Sequence, residues 1–390
     1  MFSQSEVSFM RIGIISTYPP MQCGIAAYCS YLVSELEAKG PSNKIHIVSP
    51  FGKGEGSFYS VSSLDGLAVS ERVFNAMAAF QPDVVHIQHE YGLYGPNHGV
   101  AIIPLLYRLK LASIPIIVTL HTVYDSFSQH QKLITEAICR IADAIIVHEE
   151  YQRQSIGREI FPFEHIYVVP HGVRIVDPVP EAKNQLGMRG KKIVLLCGYF
   201  RPTKRFDRII SIFPRIAEKV PSAELVAAGG VRLRGCSEYG QSLLRLINSS
   251  PSRDRIKILR GPFSQEVFDT ILSAADVVIL PYEIGAQSGI LAHCLAFGKP
   301  VVLSPLSSFQ AMVNKVNCGF IAYSDQDFVD YIVKIISHPG LAESLSKNAK
   351  DYVKKHLSWK IVAEKHMEIY GRIVRILSRA EGAKVPANFP

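Results

Sequence analysis

The chain has 390 residues, of which 48% are hydrophobic and 19% are charged, so it has the composition of a globular protein with enough residues for about two domains. Its seven cysteines are odd in number and form no C-x-x-C pair, which argues against both a disulfide framework and a structural zinc site. The formal net charge of +8 is unevenly spread: residues 191–260 hold 15 Lys or Arg against five Asp or Glu, so we expect an anionic ligand in the second half of the chain.

The N-terminal segment MFSQSEVSFMRIGIIS lacks the basic start of a secretory signal. No run of about 18 uncharged apolar residues occurs anywhere in the chain. We therefore expect a cytoplasmic protein whose first nine residues form a loose leader.

Short, continuously apolar runs between turn residues predict a parallel sheet that is buried on both faces. The first series is RIGIIS (11–16), KIHIVSP (44–50), DVVHIQH (83–89), IPIIVTLH (114–121), DAIIVHEE (143–150) and IYVVPHG (166–172). The second series is KKIVLLCG (191–198), AELVAAGG (223–230), IKILRG (256–261), ADVVILPY (275–282), KPVVLS (299–304) and GFIAYS (319–324). The pattern therefore predicts two open α/β sheets, one after the other.

The segment RIVDPVPEAKNQLGMRG separates the two series, and its two prolines in polar surroundings predict a linker followed by a short helix. We place the two domains at residues 10–180 and 190–355. Residues 356–380 are predicted to form a last helix after a break at HLSW, where Ser358 is a suitable N-cap. The final EGAKVPANFP is expected to be disordered.

Polar residues follow the strands of the first series, at the edge where ligands bind in open parallel sheets. They are His89 and Glu90 after the third strand, His121 after the fourth, His148 after the fifth and His171 after the sixth. Imidazoles gathered at one edge suit the binding of sugar hydroxyls or phosphate. Hydrogen-bonded structural histidines are the alternative, and a metal site is a rival for which the H-x-x-x-H and H-E-x-x-H spacings are missing.

In the second series, the first strand is followed by CGYFRPTKRFD, in which Arg201 and Lys204 lie three residues apart. A guanidinium and an ammonium at that spacing in a strand-to-helix loop can clamp a diphosphate, although a solvent-facing basic turn is the alternative. The chain has no G-x-G-x-x-G or P-loop motif at either first strand, which argues against a standard dinucleotide site. It also lacks zinc-finger spacing and an aromatic RNA-binding signature, so we expect no nucleic-acid partner.

The stretch PYEIGAQSGILAHCLAFGKPVV, residues 281–302, reads as a polar loop that leads into an apolar helix ending at Gly298. Ser288 is a suitable N-cap, so the free backbone N–H groups at Gly289 are expected to point at a ligand. Glu283 and Gln287 lie just ahead of this helix start. Gly24 is placed similarly in the first domain, where it would let the backbone approach a ligand at the start of a helix.

Four motifs in this order resemble those of the GT-B glycosyltransferases of retaining family four. They are the glycine-containing loop after the first strand, PHGV, GYFRPTKRFD and PYEIGAQSGILAHCLAFGKPVV, and the resemblance covers residues 10–375. It implies two Rossmann-like, doubly wound domains facing across a cleft, with a C-terminal helix that returns to the first domain. It further implies a nucleotide-sugar donor held mostly by the second domain, an acceptor held by the first, and no metal or other cofactor.

The resemblance assigns roles to individual residues. Arg201 and Lys204 match the basic pair that neutralises the donor diphosphate, and His121 matches a histidine close to the transferred sugar. We therefore predict catalytic roles for His121, Arg201 and Lys204. The predicted donor-binding residues are Gly24, Arg201, Lys204, Glu283, Gln287, Ser288, Gly289 and His293, and the predicted acceptor-side residues are His89, Glu90, His148 and His171.

One departure from the family pattern affects the donor site. Family members carry two glutamates separated by seven residues, and counting back from Gly298 places Gly285 and His293 at these two positions. The ribose contact of the second glutamate would thus fall to His293, with a packed helix residue as the alternative. Glu283 lies two positions from the first expected glutamate.

We predict a retaining glycosyltransferase that moves a hexosyl unit from a UDP- or GDP-sugar to an acceptor hydroxyl in glycan, glycolipid or polysaccharide synthesis. A sugar phosphorylase, a nucleotide-sugar epimerase and a non-catalytic nucleotide-sugar-binding protein are the alternatives. Four lysines near the last helices predict weak peripheral contact with the inner face of a membrane, or simply a solvated surface: Lys354, Lys355, Lys360 and Lys365.

Overall fold

A computed structural model describes residues 9–21, 23–40, 42–50, 58–60, 67–230, 237–284 and 289–382. The chain divides into two compact units. The first consists of Met1–Gly172 with Trp359–Pro390, and the second of Val173–Ser358. The segment predicted as a linker, residues 175–190, lies within the second unit.

The first unit is built on a parallel sheet of seven described strands in the order β3-β2-β1-β4-β5-β6-β7. The strands are β1 (Arg11–Ile15), β2 (Lys44–Ser49), β3 (Phe58–Ser60), β4 (Val84–His89), β5 (Ile116–Leu120), β6 (Ala144–Val147) and β7 (Ile166–Val168). Its helices before the second unit are α1 (Gly24–Lys39), α2 (Leu67–Phe80), α3 (Pro96–Gly99), α4 (Ile102–Leu111), α5 (Gln129–Ile141) and α6 (Glu150–Glu159). All six predicted strands are confirmed, and the short edge strand β3 is an addition.

The second unit contains a parallel sheet of six described strands in the order β10-β9-β8-β11-β12-β13. The strands are β8 (Lys192–Cys197), β9 (Ala223–Gly229), β10 (Ile256–Arg260), β11 (Val277–Leu280), β12 (Val301–Leu303) and β13 (Gly319–Ile321). The helices are α7 (Ala182–Gln185), α8 (Phe206–Lys219), α9 (Ser237–Asn248), α10 (Gln265–Ala274), α11 (Gly289–Ala296), α12 (Ser307–Val316), α13 (Asp325–Ser337) and α14 (Pro339–Tyr352). The prediction of two consecutive parallel α/β sheets is thus confirmed.

Each sheet is buried on both faces, as its continuously apolar strands require. In the first unit, alternate residues of the strands belong to different core clusters: Ile15 packs with α2, α4, α5 and α6, whereas Ile14 packs with α1. In the second unit, Leu195 packs with α10, α11 and α12, and Leu196 packs with α8, α9 and α13. Because helices cover both faces, the carboxyl ends of the strands are where a ligand can approach each sheet.

The last helix, α15 (Trp359–Gly382), belongs to the first unit. It follows a π-helical turn at Val353–Leu357 and an extended Ser358, which confirms the break predicted at HLSW. Its apolar side, including Val362 and Tyr370, is buried in the same core cluster as Tyr28 and Leu32 of α1. Burial of this face accounts for the stability of a long helix that carries polar residues on its other side.

Candidate active site

The loop after β8 is held at the carboxyl edge of the second sheet by two glycines. Gly198 has a φ of +129°, a conformation that L side chains rarely adopt. A Cβ at Gly229 would lie 1.8 Å from the carbonyl oxygen of Gly198, so only glycine permits this approach of the β8 and β9 ends. The Phe200 N–H then donates to Gly230 O at 2.9 Å, which fixes the course of the loop that carries Arg201 and Lys204.

Lys204 ends a 3₁₀ turn, Pro202–Lys204, and its Nζ lies 3.3 Å from the centroid of the Tyr282 ring, a cation–π contact. Burial of the ammonium, and secondarily the neighbouring Arg201, lowers the pKa of Lys204 to about 7. The Arg201 Nε is buried and has no hydrogen-bond partner among the described residues. No salt bridge within the described part of the chain joins either cation to a carboxylate, so the pair is electrostatically uncompensated.

The end of β11 meets the same turn. The Glu283 N–H donates to Thr203 O at 2.9 Å, which places Glu283 beside the turn that carries Lys204. The Glu283 carboxylate lies 3.5 Å from Nη1 of Arg205, and its side chain is 59% exposed. Glu283 is thus a neighbour of the basic pair that remains open to solvent.

The start of α11 adjoins this loop. A Cβ built on Gly198 would lie 3.7 Å from Tyr282 Oη and 3.9 Å from Ile290 Cγ1, so the β8 loop, Tyr282 and the first turn of α11 are close neighbours. A Cβ on Gly289 would meet nothing within 4 Å. The predicted contacts of Gln287 and Ser288, like the motif position Gly285, lie outside the described residues.

His293 lies one turn into α11, against α10. Its ring meets Phe268 edge to face at 5.5 Å between centroids, and its buried Nδ1 has no partner among the described residues. The pKa of His293 is lowered to about 4, mainly by burial and secondarily by the Arg174 guanidinium, with Asp269 acting in the opposite direction. Arg174 itself donates to Asp269 at 2.6 and 2.9 Å. His293 is therefore neutral at pH 7 and lies beside a half-buried ion pair.

In the first unit, three of the predicted histidines converge on Tyr28 of α1, which the sequence did not indicate. The ring centroid of Tyr28 lies 4.8 Å from that of His121, 5.4 Å from that of His148 and 5.0 Å from that of His171. Trp359 completes the cluster at 4.9 Å from Tyr28. The histidines at the ends of β5, β6 and β7 therefore do come together.

Both ring nitrogens of His121 have partners inside the first unit. Nε2 lies 2.8 Å from the Gln88 side-chain amide, and Nδ1 lies 3.4 Å from Nε2 of His148. The other nitrogen of His148 lies 3.0 Å from the backbone carbonyl of Val169. Burial is the main cause of the low pKa values here: the pKa of His148 falls to about 3, and that of His121 falls well below its ordinary value. Both rings are neutral at pH 7.

The remaining first-unit candidates occupy separate positions. His89 is buried and stacks on Tyr94, and burial lowers its pKa to about 4. Glu90 accepts the Thr122 hydroxyl and, at 3.1 Å, the Tyr91 N–H, while burial raises the pKa of its carboxyl group. Gly24 is the exposed first residue of α1, and a Cβ there would meet nothing within 4 Å.

Two family models match the chain in succession. The model of Glycosyltransferase Family 4 matches residues 23–176, and that of Glycosyl transferases group 1 matches residues 179–352. The chain belongs to this glycosyltransferase family. It is accordingly a glycosyltransferase with the GT-B combination of two Rossmann-like domains.

Curated relatives of this glycosyltransferase are named for different products. The alpha-monoglucosyldiacylglycerol synthase of Acholeplasma laidlawii is 22% identical over 383 residues, which covers 87% of this chain and 92% of that protein. The trehalose synthase of Pyrococcus horikoshii is 25% identical over 191 residues, which covers 48% of this chain and only 44% of that protein. The family is therefore shared, whereas the products in the relatives' names differ.

Solved structures share the fold. Sucrose-phosphate synthase from Thermosynechococcus elongatus superposes with a TM-score of 0.75 at 18% identity, covering 94% of this chain and all of that one. The Anabaena protein HepE in complex with UDP-glucose superposes with a TM-score of 0.72 at 16% identity, covering 95% and 100% of the two chains. At these identities the similarity establishes the fold alone.

Proposed function

We propose that this glycosyltransferase moves a hexosyl unit from a nucleoside diphosphate sugar to an acceptor hydroxyl, with retention of the anomeric configuration. The observation that carries the proposal is the uncompensated pair Arg201 and Lys204 at the carboxyl edge of the second sheet. Placing two cations together with partial desolvation costs free energy unless an anion joins them. A diphosphate has the charge and the oxygen spacing to bind both.

The chemistry follows from where charge develops. As the sugar leaves, negative charge accumulates on the departing diphosphate, and Arg201 and Lys204 stabilise it without reorganising. We propose attack by the acceptor on the same face of the sugar, assisted by the leaving phosphate, because Gly285 and His293 stand at the positions of the two family glutamates and the motif therefore supplies no carboxylate nucleophile. Among the described residues, no group of three or more His, Cys, Asp or Glu side chains is arranged to hold a metal ion. We propose that the two side-chain cations supply the charge that a metal would otherwise provide.

The relatives' names support a choice of donor. HepE has been captured with UDP and with UDP-glucose, and a relative from Dictyostelium discoideum is a mannosyltransferase using GDP-Man. We propose a UDP- or GDP-hexose as the donor of this chain. We propose that the unpartnered Nδ1 of the neutral His293 ring accepts a hydrogen bond from a ribose hydroxyl of the donor.

A nucleotide-sugar panel tests the proposal. We expect one UDP- or GDP-sugar to raise the melting temperature of the protein selectively, since a ligand that binds only the folded state stabilises it by mass action. Adding an acceptor should then release the nucleoside diphosphate. Binding without turnover would support a non-catalytic module, release of a sugar phosphate with free phosphate present would support a phosphorylase, and an isomerised donor would support an epimerase.

We also propose that the acceptor lies at a membrane surface. Within the described residues, no helix is both long and apolar enough to cross a bilayer. The outer side of α4, however, exposes Tyr107 at 56% and Leu111 at 85%, although its inner side is already buried in the core. Arg108 and Lys110 flank these residues and are exposed too. Apolar and basic side chains on one helix face suit the interface of an anionic bilayer, and the lipid in the name of the relative from Acholeplasma laidlawii supports the same direction.

Sedimentation with anionic vesicles at low salt tests the membrane contact. We expect the protein to pellet with the vesicles, and the double substitution Tyr107→Ser with Leu111→Ser to leave most of it in the supernatant. Val267→Ser is the matched control, because Val267 is 45% exposed on a helix of the second unit. Wild-type protein that stays in the supernatant would remove the proposal.

A further inference from the structure

A continuous line of buried polar groups runs through the apolar interior of the first unit. Its members are Tyr370 of α15, His86 and Gln88 of β4, His121 after β5, His148 after β6 and the backbone carbonyl of Val169. Tyr370, His86 and Gln88 are completely inaccessible, and His121 is 9% exposed. Buried polar groups cost free energy unless each has a partner, so the direction of every hydrogen bond in the line is constrained.

The contacts are close enough for hydrogen bonds at every step. Tyr370 Oη lies 2.6 Å from His86 Nδ1, and His86 Nε2 lies 3.2 Å from Gln88 Nε2 and 2.7 Å from Thr119 Oγ1. Gln88 Oε1 lies 2.8 Å from His121 Nε2. His121 and His148 then meet at 3.4 Å, and the line ends on Val169 O at 3.0 Å.

The terminal carbonyl fixes the direction of the line. Val169 O can only accept, so Nδ1 of the neutral His148 carries the proton and its Nε2 is an acceptor. His121 must donate from Nδ1 to that acceptor, which leaves its own Nε2 unprotonated. If His121 were protonated on Nε2 instead, the lone pairs of His121 and His148 would face each other.

The same reasoning continues to the other end. An unprotonated Nε2 on His121 requires a donor where the structure places Gln88 Oε1, so the side-chain amide of Gln88 must be turned by 180° to face His121 with its NH₂ group. The oxygen and nitrogen of an amide are assigned from its hydrogen-bond network, which allows this exchange. The Gln88 oxygen and the Thr119 hydroxyl then accept from Nε2–H of His86. His86 Nδ1 is left to accept from the hydroxyl of Tyr370. All the donors therefore point from α15 toward the edge of the sheet.

We propose that Gln88 is a positioning residue that holds the neutral His121 in the tautomer protonated on Nδ1. The hydroxyl of Tyr370 of α15 is the first hydrogen-bond donor in the line of buried polar groups that fixes this orientation. The inference rests on the proposed function and on the family resemblance, by which His121 matches a histidine close to the transferred sugar. It assigns a role to Gln88 and Tyr370, which have no exposed surface and touch no ligand themselves. A fixed ring keeps the site geometry constant from one turnover to the next.

Nitrogen-15 NMR of the histidine side chains tests the tautomers directly. In the wild-type protein we expect a protonated Nδ1 and an unprotonated Nε2 on His121 and His148, and the reverse on His86. Gln88→Met keeps the shape of the side chain but removes the amide, and should leave His121 without a single fixed tautomer. Tyr370→Phe should alter the signals of His86 more than those of His148. A wild-type His121 protonated on Nε2 would overturn the proposal.

Gln152→Met provides the matched control. Gln152 is another fully buried glutamine of the first unit, and its Oε1 accepts the backbone N–H groups of His148 and Glu149 at 2.7 and 2.9 Å. Its loss should reduce stability and leave the Nδ1–H tautomer of His121 unchanged. If both variants leave His121 with the same mixture of tautomers, the cause is a general packing effect, and the assignment to Gln88 is wrong.

Kinetics connect the tautomer to transfer. Gln88→Met should lower kcat by about tenfold, the cost of a partly misplaced group, with the donor KM changed by less than about twofold. An unchanged kcat with a scrambled tautomer would contradict the positioning role. If the expected tautomers are found but no nucleotide sugar is processed, the proposed function is wrong, while the assigned directions of the hydrogen bonds from Tyr370 to Val169 are confirmed.

Discussion

Lys204→Ala is expected to slow sugar transfer at subsaturating donor by about one to two orders of magnitude, which corresponds to roughly 1.5–3 kcal/mol for a lost hydrogen bond to a charged group. The ammonium has no carboxylate partner among the described residues and lies over the Tyr282 ring beside Arg201. Its loss therefore removes positive charge from the site where the diphosphate departs. Initial rates with the donor identified in the nucleotide-sugar panel provide the measurement.

Lys334→Ala is the matched control for this substitution. Lys334 belongs to α13 of the same unit, and its Nζ lies 5.1 Å from the centroid of the Phe320 ring, so it also makes a cation–π contact. Its removal should leave the transfer rate unchanged, and both variants should melt within a few degrees of the wild type. A wild-type transfer rate for Lys204→Ala would show that the diphosphate binds elsewhere.

The pH dependence of donor binding gives Lys204 a second signature. Burial and Arg201 lower its pKa to about 7 in the free protein, whereas a bound diphosphate favours the charged form. Below pH 7 the ammonium is mostly present already. Above pH 7 binding must take up a proton, so affinity for UDP should fall by up to about tenfold per pH unit. Lys204→Arg should bind with little pH dependence between 7 and 8.5, because a guanidinium stays charged.

The first unit should lose stability steeply between pH 6.5 and 4. Five of its histidines are buried and have lowered pKa values, with burial as the main cause in each case: His86, His89, His121, His148 and His366. A lowered pKa means that the folded state holds the neutral ring, while the unfolded chain takes up protons from about pH 6.5 downward. The stabilisation is therefore complete above pH 6.5 and is lost as the pH falls.

The loss of stability of the first unit at low pH is expected to be large because several buried histidine rings contribute to it. The pKa values of His89 and His366 are about 4, so at pH 5 each ring should cost on the order of 2 kcal/mol relative to neutral pH. Domain stabilities are typically only 5–15 kcal/mol. Hydrogen exchange at pH 7.5 and pH 5 measures the effect unit by unit, and we expect β4 and β5 to lose much more protection than β8 and β9.

His366→Phe offers a way to check the assignment. The His366 ring is fully buried and its Nε2 has no partner among the described residues, so a phenyl ring should be tolerated there. The variant should lose less stability than the wild type on going from pH 7.5 to pH 5. Equal losses in the two units of the wild-type protein would contradict the prediction.

The sequence indicated the strands better than it indicated what surrounds them. Continuous apolar runs are a local property, so all twelve predicted strands occur, and Gly298 ends its helix with a φ of +61°, as expected of a terminating glycine. The short edge strand β3 was missed because Phe58–Ser60 lies in a serine-rich stretch and not in a continuous apolar run. Local pattern therefore defines the elements and the edges where a site can form.

Contacts between distant segments were not accessible in the same way. Nothing local to Lys204 indicates that the ring of Tyr282 will lie beneath it, and nothing local to His121 indicates Tyr28 or Trp359. The interior role of β4 was also hidden, because His86 and Gln88 read as ordinary interruptions of an apolar run. These features depend on which strands become neighbours, and that is decided by the tertiary fold.

The first unit is built from two separate segments of the chain, and this determines the order in which the two units can finish folding during synthesis. Residues 173–358 form one uninterrupted unit, whereas the first unit draws on both ends of the chain. During synthesis, the face formed by Leu32 and Tyr28 has no cover until Val362 and Tyr370 leave the ribosome. The backbone of Gly172 likewise gains its contact with the Trp359 ring only when Trp359 has been synthesised. This contact is so close that a Cβ on Gly172 would lie 2.4 Å from carbons of the ring. The unit that is translated first is thus the last to close its core, and an apolar surface of nascent chain stays exposed for nearly two hundred residues of elongation.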